Sequence, residues 1–149
     1  MSGDGRANGT ARRRIVDQLI RHEGLRLKVY TDGVGVLTIG VGRNLTDKGI
    51  SNTEALYLLD HDIDEAVTDL ASFPWFVGLS DAQQLAMVDM RHNLGPFRFR
   101  QFKQMIHALA VGDYAGASAQ LLRSRWATQV QPSRRDCLVA QLAGGEEGS

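Results

Sequence analysis

The sequence contains few of the residues that indicate a disulfide scaffold, a metal cluster or a membrane anchor. It has one cysteine, Cys137, which excludes an internal disulfide. Its apolar runs are only a few residues long, so we expect no stable membrane insertion. Its 17 basic and 17 acidic residues cancel, so the net charge does not indicate a nucleic-acid partner. The histidines lack the spacing of a metal site, and we expect neither a metal nor a cofactor; they are His22, His61, His92 and His107.

The length and the composition predict one soluble globular domain. A chain of 149 residues with 43% hydrophobic residues is long enough to bury a core and too short for two ordinary domains. Residues 1–12 are polar and glycine-rich and lack the apolar core of a signal peptide, so we expect a flexible leader there. We expect the folded domain over residues 13–143 and a flexible tail over residues 144–149.

The first half of the domain shows the pattern of a helix, a strand pair and a longer helix. Apolar residues at helical spacing predict a helix over residues 13–22. Alternation predicts strands over residues 26–30 and 36–41, joined by a glycine-containing turn, with little room for a third strand. Ser51 and Glu54 have the spacing of a capping box, which predicts that a long helix begins there and ends near residue 71.

The second half of the domain is helical in pattern. Ser80 with Gln83 repeats the capping box before a helix that Gly95 and Pro96 end near Leu94. Further helices are predicted over residues 99–110, 114–124 and 133–143. A small sheet followed by a run of helices is an α+β arrangement.

Three polar residues near the predicted hairpin suit a hydrolytic reaction. Glu23 follows the first helix, where we expect its carboxyl to be half enclosed by the helix end, and Asp32 lies in the turn, which is a wetter place. Partial burial keeps a carboxyl group protonated, so two carboxyls in unequal surroundings suit glycosidic cleavage. One of them donates a proton, and the other stabilises positive charge or activates water, which Thr38 would also hydrogen-bond. Taken singly, each also has a structural interpretation, as a solvated charge, a turn former and a strand former.

The neighbours of these residues form a longer pattern. Glu23 is followed by glycine, a basic-apolar strand ends in Tyr30, Asp32 lies nine residues after Glu23, and Thr38 lies six residues after Asp32. The sequence Ile-Gly-Val-Gly then runs from Ile39 to residue 42. This pattern resembles the active-site segment of the phage-type lysozymes, the endolysin family. The resemblance continues at DHDIDEAV, HNLG and SRWATQVQPSRR, and covers roughly residues 13 to 143.

The resemblance implies both a fold and an activity. The fold is lysozyme-like and two-lobed: a small antiparallel sheet lobe carries the site, and a long helix joins it to a helical lobe. The activity is that of a muramidase, which hydrolyses the β-1,4 bond between N-acetylmuramic acid and N-acetylglucosamine in bacterial peptidoglycan. Glu23 would be the general acid, and Asp32 with Thr38 would hold the attacking water, which gives inversion.

Residues of the helical lobe are expected to bind substrate. Asn93 in HNLG matches a polar family position at the cleft, although it is also placed to cap the helix before Gly95. Arg134 resembles a family arginine that reaches toward the catalytic glutamate, and it is otherwise a solvated cation near a helix start. Gln129 is expected to line the same cleft. Trp75 and Trp126 are expected in the core rather than as sugar platforms.

One position departs from the family pattern. Many relatives have histidine after the second glycine of Ile-Gly-x-Gly, where this chain has Arg43. The family resemblance suggests that this residue pairs with an acidic residue of the long helix, and we expect Asp62 to be that partner.

Other functions compete with a lytic enzyme. The same hydrolase fold also serves in virion machines that puncture the wall, and a catalytically inactive glycan-binding relative is a second alternative. A nucleic-acid binder that uses the arginines of ARRRIV is a third, which we do not expect. For the lytic enzyme we expect a monomer that stays in the host cytoplasm until a holin breaches the membrane.

Overall fold

A computed structural model describes residues 4–144, with side chains from residue 9 onward. It divides the chain into two compact units, with the boundary between Ala55 and Leu56. The elements in chain order are α1 (Asp4–Glu23), β1 (Arg26–Thr31), β2 (Leu37–Gly40), β3 (Arg43–Asn44), α2 (Asn52–Leu70), α3 (Asp81–Phe99), α4 (Lys103–Ala110), α5 (Tyr114–Arg123), α6 (Trp126–Gln129) and α7 (Pro132–Leu142). A small antiparallel sheet and a majority of helix confirm the α+β, lysozyme-like fold that the sequence predicts.

The first unit contains a three-stranded antiparallel sheet in the order β1-β2-β3. Tyr30 is opposite Thr38 in the β1–β2 pair, which confirms the predicted hairpin. The expectation that there is little room for a third strand is wrong, because Thr38 also pairs with Asn44 of β3. The third strand has only two residues, and it forms because the chain turns back at Gly40 and Gly42, which both have positive φ angles.

The first helix is longer than its apolar pattern indicates. It begins at Asp4 rather than at residue 13, so residues 4–12 of the expected leader are helical. Residues 1–3 of that leader, and residues 145–149 of the expected tail, lie outside the described residues. The helix ends at Glu23, one residue beyond the predicted end at residue 22, and Gly24, which follows it, has a φ of 79° and donates its N–H to the carbonyl of Ile20 at 2.8 Å.

The predicted capping boxes are both present. The Ser51 hydroxyl accepts from the N–H of Glu54 at 3.1 Å, and the Glu54 carboxylate accepts from the N–H of Ser51 at 2.9 Å. Ser80 and Gln83 make the same reciprocal pair at the start of α3. These bonds satisfy donors that a helix start leaves without partners, so α2 and α3 begin where the sequence places them.

The second unit holds the hydrophobic core. The α3 helix packs on α7, and α5 packs on both α4 and α7. All the buried apolar side chains that the structure describes belong to this unit, and its largest fully buried members include Phe99, Met87, Met90, Leu121 and Leu138. Gly95, with φ 80° and ψ 170°, interrupts α3 after Leu94, as the Gly-Pro pair predicts. No helix among residues 4–144 is long and apolar enough to cross a membrane.

The two tryptophans lie in or against this core, as expected. Trp126 is only 4% exposed. Trp75 is partly buried, packs against the core cluster and stacks on Phe73 with ring centroids 4.9 Å apart. Neither ring is an open platform for a sugar.

Candidate active site

Asp32 organises the turn between β1 and β2. Its Oδ1 atom accepts hydrogen bonds from the N–H groups of Val34 and Val36, both at 2.9 Å. Its own N–H donates to the carbonyl of Val36 at 2.9 Å, and its carbonyl accepts from Gly35 at 3.1 Å. Four bonds thus fix the half-buried Asp32 in one orientation. Its Oδ2 atom accepts no hydrogen bond from the residues that the structure describes.

Thr38 is held next to this turn by the same backbone carbonyl. Its hydroxyl donates to the carbonyl of Val36 at 3.0 Å, so this oxygen accepts from both Asp32 and Thr38. Thr38 is 5% exposed and is the buried polar residue of the sheet. Because the hydroxyl hydrogen is donated to the carbonyl of Val36, the Thr38 oxygen is left to accept a hydrogen bond from a ligand.

The carboxyl of Glu23 lies against Gly42, the second of the two residues between β2 and β3. A Cβ atom built on Gly42 would lie 2.9 Å from Oε2 of Glu23 and 3.0 Å from its Cδ. Real Cβ contacts are essentially never that short, so this position of Glu23 requires glycine at residue 42. Glu23 is exposed, so the expectation of a half-enclosed carboxyl at the helix end is wrong.

Arg43 pairs with Glu54, not with Asp62. The two side chains form a bidentate ion pair, with N–O distances of 2.9 and 2.6 Å, and Arg43 also donates to the carbonyl of Gly49 at 3.2 Å. The expectation of Asp62 is wrong in residue, although Glu54 is also an acid of the long helix. Hydrogen bonds from Arg43, and then from Ser51, lower the pKa of Glu54 to about 2. The pair therefore fixes the strand that directly follows Gly42.

In the second unit, Asn93 and Gln129 lie around Trp126. The side-chain oxygen of Asn93 accepts from the indole N–H of Trp126 at 3.0 Å, so its NH₂ group is what remains for a ligand. The side-chain oxygen of Asn93 is thus bonded to Trp126 rather than capping the helix before Gly95. Gln129 is exposed and lines a cleft of about 630 Å³ together with Trp126. Both residues are accessible, as a substrate-binding role requires.

Arg134 is on α7 and binds Asp89 of α3. Its Nε and Nη2 atoms donate to Oδ1 of Asp89 at 2.8 and 2.6 Å. Arg134 is thus an ion-paired residue rather than a solvated cation near a helix start. A role of Arg134 beside Glu23 stays a prediction from the family resemblance.

The sequence did not reveal the contacts of two residues of the first unit, Gly42 and Glu54. Gly42 was part of the quoted Ile-Gly-Val-Gly motif, but the motif does not show which side chain occupies the space above it. Glu54 was recognised only as a capping residue, and the same carboxylate also binds Arg43. In the sequence, Glu54 is only an acid eleven residues after an arginine, and this spacing does not indicate that the two side chains are in contact.

The sequence of the chain is similar to those of known phage proteins. The sequence model described as phage lysozyme matches residues 20–140. The chain is 36% identical over 107 residues to an endolysin of Acyrthosiphon pisum secondary endosymbiont phage 1, covering 69% of this chain and 71% of that protein. It is 27% identical over 162 residues to the pre-baseplate central spike protein Gp5 of Enterobacteria phage T4. That match covers 89% of this chain but spans only 28% of the spike protein's length.

Proposed function

Because the chain belongs to the phage lysozyme family, we propose that it is a peptidoglycan hydrolase that cleaves the β-1,4 bond between N-acetylmuramic acid and N-acetylglucosamine. The observation that carries this proposal is that the N–H of Asp32 and the hydroxyl of Thr38 donate to the same carbonyl. The Glu23 carboxyl belongs to the same unit. A proton donor, a charged acceptor and a neutral acceptor are what hydrolysis of a glycosidic bond by water requires.

Glu23 is the proton donor in this mechanism. Its carboxyl is exposed, so a glycosidic oxygen has access to it, and the missing side chain at Gly42 leaves the space that the carboxyl occupies. The protonated form donates to the leaving oxygen while the bond from that oxygen to the anomeric carbon breaks. The bound glycan would supply the enclosure that the free carboxyl lacks.

Asp32 and Thr38 hold the attacking water. The free Oδ2 of Asp32 accepts one hydrogen of the water, and the Thr38 oxygen, whose own hydrogen goes to Val36, accepts the other. A lone pair of the water oxygen then remains for attack on the anomeric carbon. As the new bond forms, Asp32 takes a proton from the water, so acid and base each change by one proton.

Attack by water in a single step inverts the anomeric carbon. Inverting sites hold their two carboxyls roughly 6.5 to 9.5 Å apart, against about 5 to 5.5 Å where a carboxylate attacks directly. NMR of the first-formed product decides between them. The α anomer supports inversion, and a first-formed β anomer would contradict the water mechanism while leaving the hydrolase intact.

The bond that is cleaved can be identified from the new reducing end. We would digest purified peptidoglycan, reduce the products with borohydride, hydrolyse them and identify the reduced sugar. Reduced muramic acid is expected. Reduced glucosamine would show that the other glycosidic bond is cut, and no new reducing end would favour a glycan-binding relative without activity.

We further propose that the enzyme lyses the host from inside after a holin opens the inner membrane. Similarity to a protein named endolysin supports this role. Expression alone in a Gram-negative host should be tolerated until chloroform is added, and spontaneous lysis that stops when protein export is inhibited would contradict it.

A wall-puncturing role in the virion is the second candidate, because the match to the spike protein covers 89% of this chain. Detection of the chain in purified virions by mass spectrometry would favour that role.

A further inference from the structure

The lysines and arginines of the second unit fall into two groups. One group forms ion pairs with carboxylates: Arg91 and Arg100 with Asp69, Arg134 with Asp89, and Arg135 with Asp136. The other group has no ion-pair partner among residues 56–144, and it consists of Arg98, Lys103, Arg123 and Arg125. The side chains of this second group therefore have no carboxylate partner among the described residues of the unit.

All members of the unpaired group line the same cleft. This cleft has a volume of about 630 Å³ and is formed by the end of α3, by α4, by α5 and by the start of α6. None of the described residues that line it is an aspartate or a glutamate. Several like charges around one concave surface repel one another and raise the local concentration of anions. We call this surface the cationic cleft.

The other residues of the cationic cleft suit a peptide. The partly buried Phe102 provides apolar surface, and four glutamines provide amide donors and acceptors: Gln101, Gln104, Gln120 and Gln129. A second cleft of about 460 Å³ shares Lys103, Gln104 and Gln120 with the first, so the groove continues along α4 and α5, and Asp113 lines this second part. An elongated groove with amide groups along its walls fits an extended backbone.

We propose that the cationic cleft selects stem peptides of peptidoglycan whose carboxylates are free, and disfavours those whose carboxylates are amidated. This inference rests on the proposed function, since peptidoglycan peptides carry carboxylates whereas its glycan strand offers mainly neutral groups. Arginine guanidinium groups bind a carboxylate in a bidentate manner, and an uncharged amide does not accept both bonds. The amidation state of the wall would then set how readily this enzyme binds it.

A binding experiment tests the selection without requiring any cleavage. A fluorescent stem tetrapeptide with free carboxylates, and the same peptide amidated, would be titrated with the wild type at low and high salt. We expect the acidic peptide to bind about tenfold more tightly than the amidated one, with a preference that shrinks in high salt. Equal binding of the two peptides would overturn the proposal even if the protein hydrolyses peptidoglycan.

Paired variants locate the binding in the cleft. The double variant Arg98→Gln/Arg125→Gln should lose the preference, and Arg135→Gln, whose arginine pairs with Asp136 outside the cleft, should keep it. Thermal melts check that both variants fold. If the two variants bind the acidic peptide equally, the cleft is not the site. A duplex DNA probe that binds more tightly than the acidic peptide would also overturn the proposal, because it would indicate a general polyanion site.

Hydrolysis of whole walls provides a second readout. Sacculi with free carboxylates and chemically amidated sacculi would be compared as substrates for the wild type and the double variant. We expect the wild type to show a lower KM on free-carboxylate walls with a similar kcat, and the double variant to show no difference in KM. An unchanged KM preference in the double variant would overturn the inference.

Discussion

The Glu23 carboxyl occupies space that any side chain at residue 42 would fill, since a Cβ on Gly42 would lie 2.9 Å from Oε2 of Glu23. Gly40 has the same φ of 69°, yet nothing lies within 4 Å of a Cβ at that position. The two glycines thus have the same φ angle, but only at Gly42 does another side chain, that of Glu23, occupy the space a Cβ would need.

This difference makes Gly40→Ala a matched control for Gly42→Ala. Both variants carry the backbone strain of alanine at a positive φ, roughly 1 to 2 kcal/mol, but Gly42→Ala also displaces Glu23. We expect kcat for Gly42→Ala to fall on the order of a hundredfold, as for a catalytic group misplaced by about 1 Å. Steady-state kinetics and thermal melts measure both effects. Similar kcat values for the two variants would show that Gly42 does not position Glu23.

Two substitutions separate the structural role of Asp32 in the turn from its proposed role as the catalytic base. Asp32→Asn keeps an oxygen for the N–H groups of Val34 and Val36 but removes the charge, so we expect a normal fold and strongly reduced kcat. Asp32→Ala also loses both turn bonds and should be about 1 to 2 kcal/mol less stable to unfolding. Urea unfolding and reducing-end assays distinguish the two. An active Asp32→Asn enzyme would contradict the role of Asp32 as base.

Thr38→Val tests whether the buried hydroxyl holds the water. Valine has a similar shape, and the carbonyl of Val36 keeps its bond from Asp32. We therefore expect kcat to fall about tenfold, the effect of one lost hydrogen bond, with KM little changed. Thr38→Ser should restore most of the rate. If serine is no better than valine, the hydroxyl does not act in the reaction.

The Arg43–Glu54 pair predicts a specific dependence of stability on pH. The pKa of Glu54 is lowered from 4.5 to about 2, so its ionised form stabilises the folded state fully above about pH 4.5. This stabilisation is lost as the pH falls through about 2. The melting temperature of Arg43→Gln should therefore lie below that of the wild type at neutral pH, and the gap should close on acidification. A gap that is the same at all pH values would contradict the assignment.

The predictions that succeeded rest on local patterns. Capping boxes at Ser51 and Ser80, the break at Gly95 and the alternation of the hairpin depend on residues a few positions apart, and the structure has them all. The N-terminal part of α1 was missed because GDGRANGT contains no apolar periodicity to indicate a helix.

What the sequence did not reveal depends on contacts between distant segments. The two-residue strand β3 exists only because β2 offers it a pairing edge. The contact of Glu23 with Gly42 depends on how the end of α1 meets the sheet. The cationic cleft gathers Arg98 and Arg125 from separate helical segments, and only the packing of the second unit shows that they line one surface. Spacing alone does not encode such proximity.

The most direct test of the mechanism is the rate of reducing-end release from purified peptidoglycan by the wild type, Glu23→Gln and Asp17→Asn. Asp17 is an exposed acid on the same helix and serves as the control for loss of one negative charge. Glu23→Gln keeps the shape of the side chain but has no acidic proton to transfer to the leaving oxygen, so kcat should fall on the order of a hundredfold or more with an unchanged melting temperature. Asp17→Asn should match the wild type. A Glu23→Gln enzyme that releases reducing ends as fast as the wild type would contradict the assignment of Glu23 as the general acid.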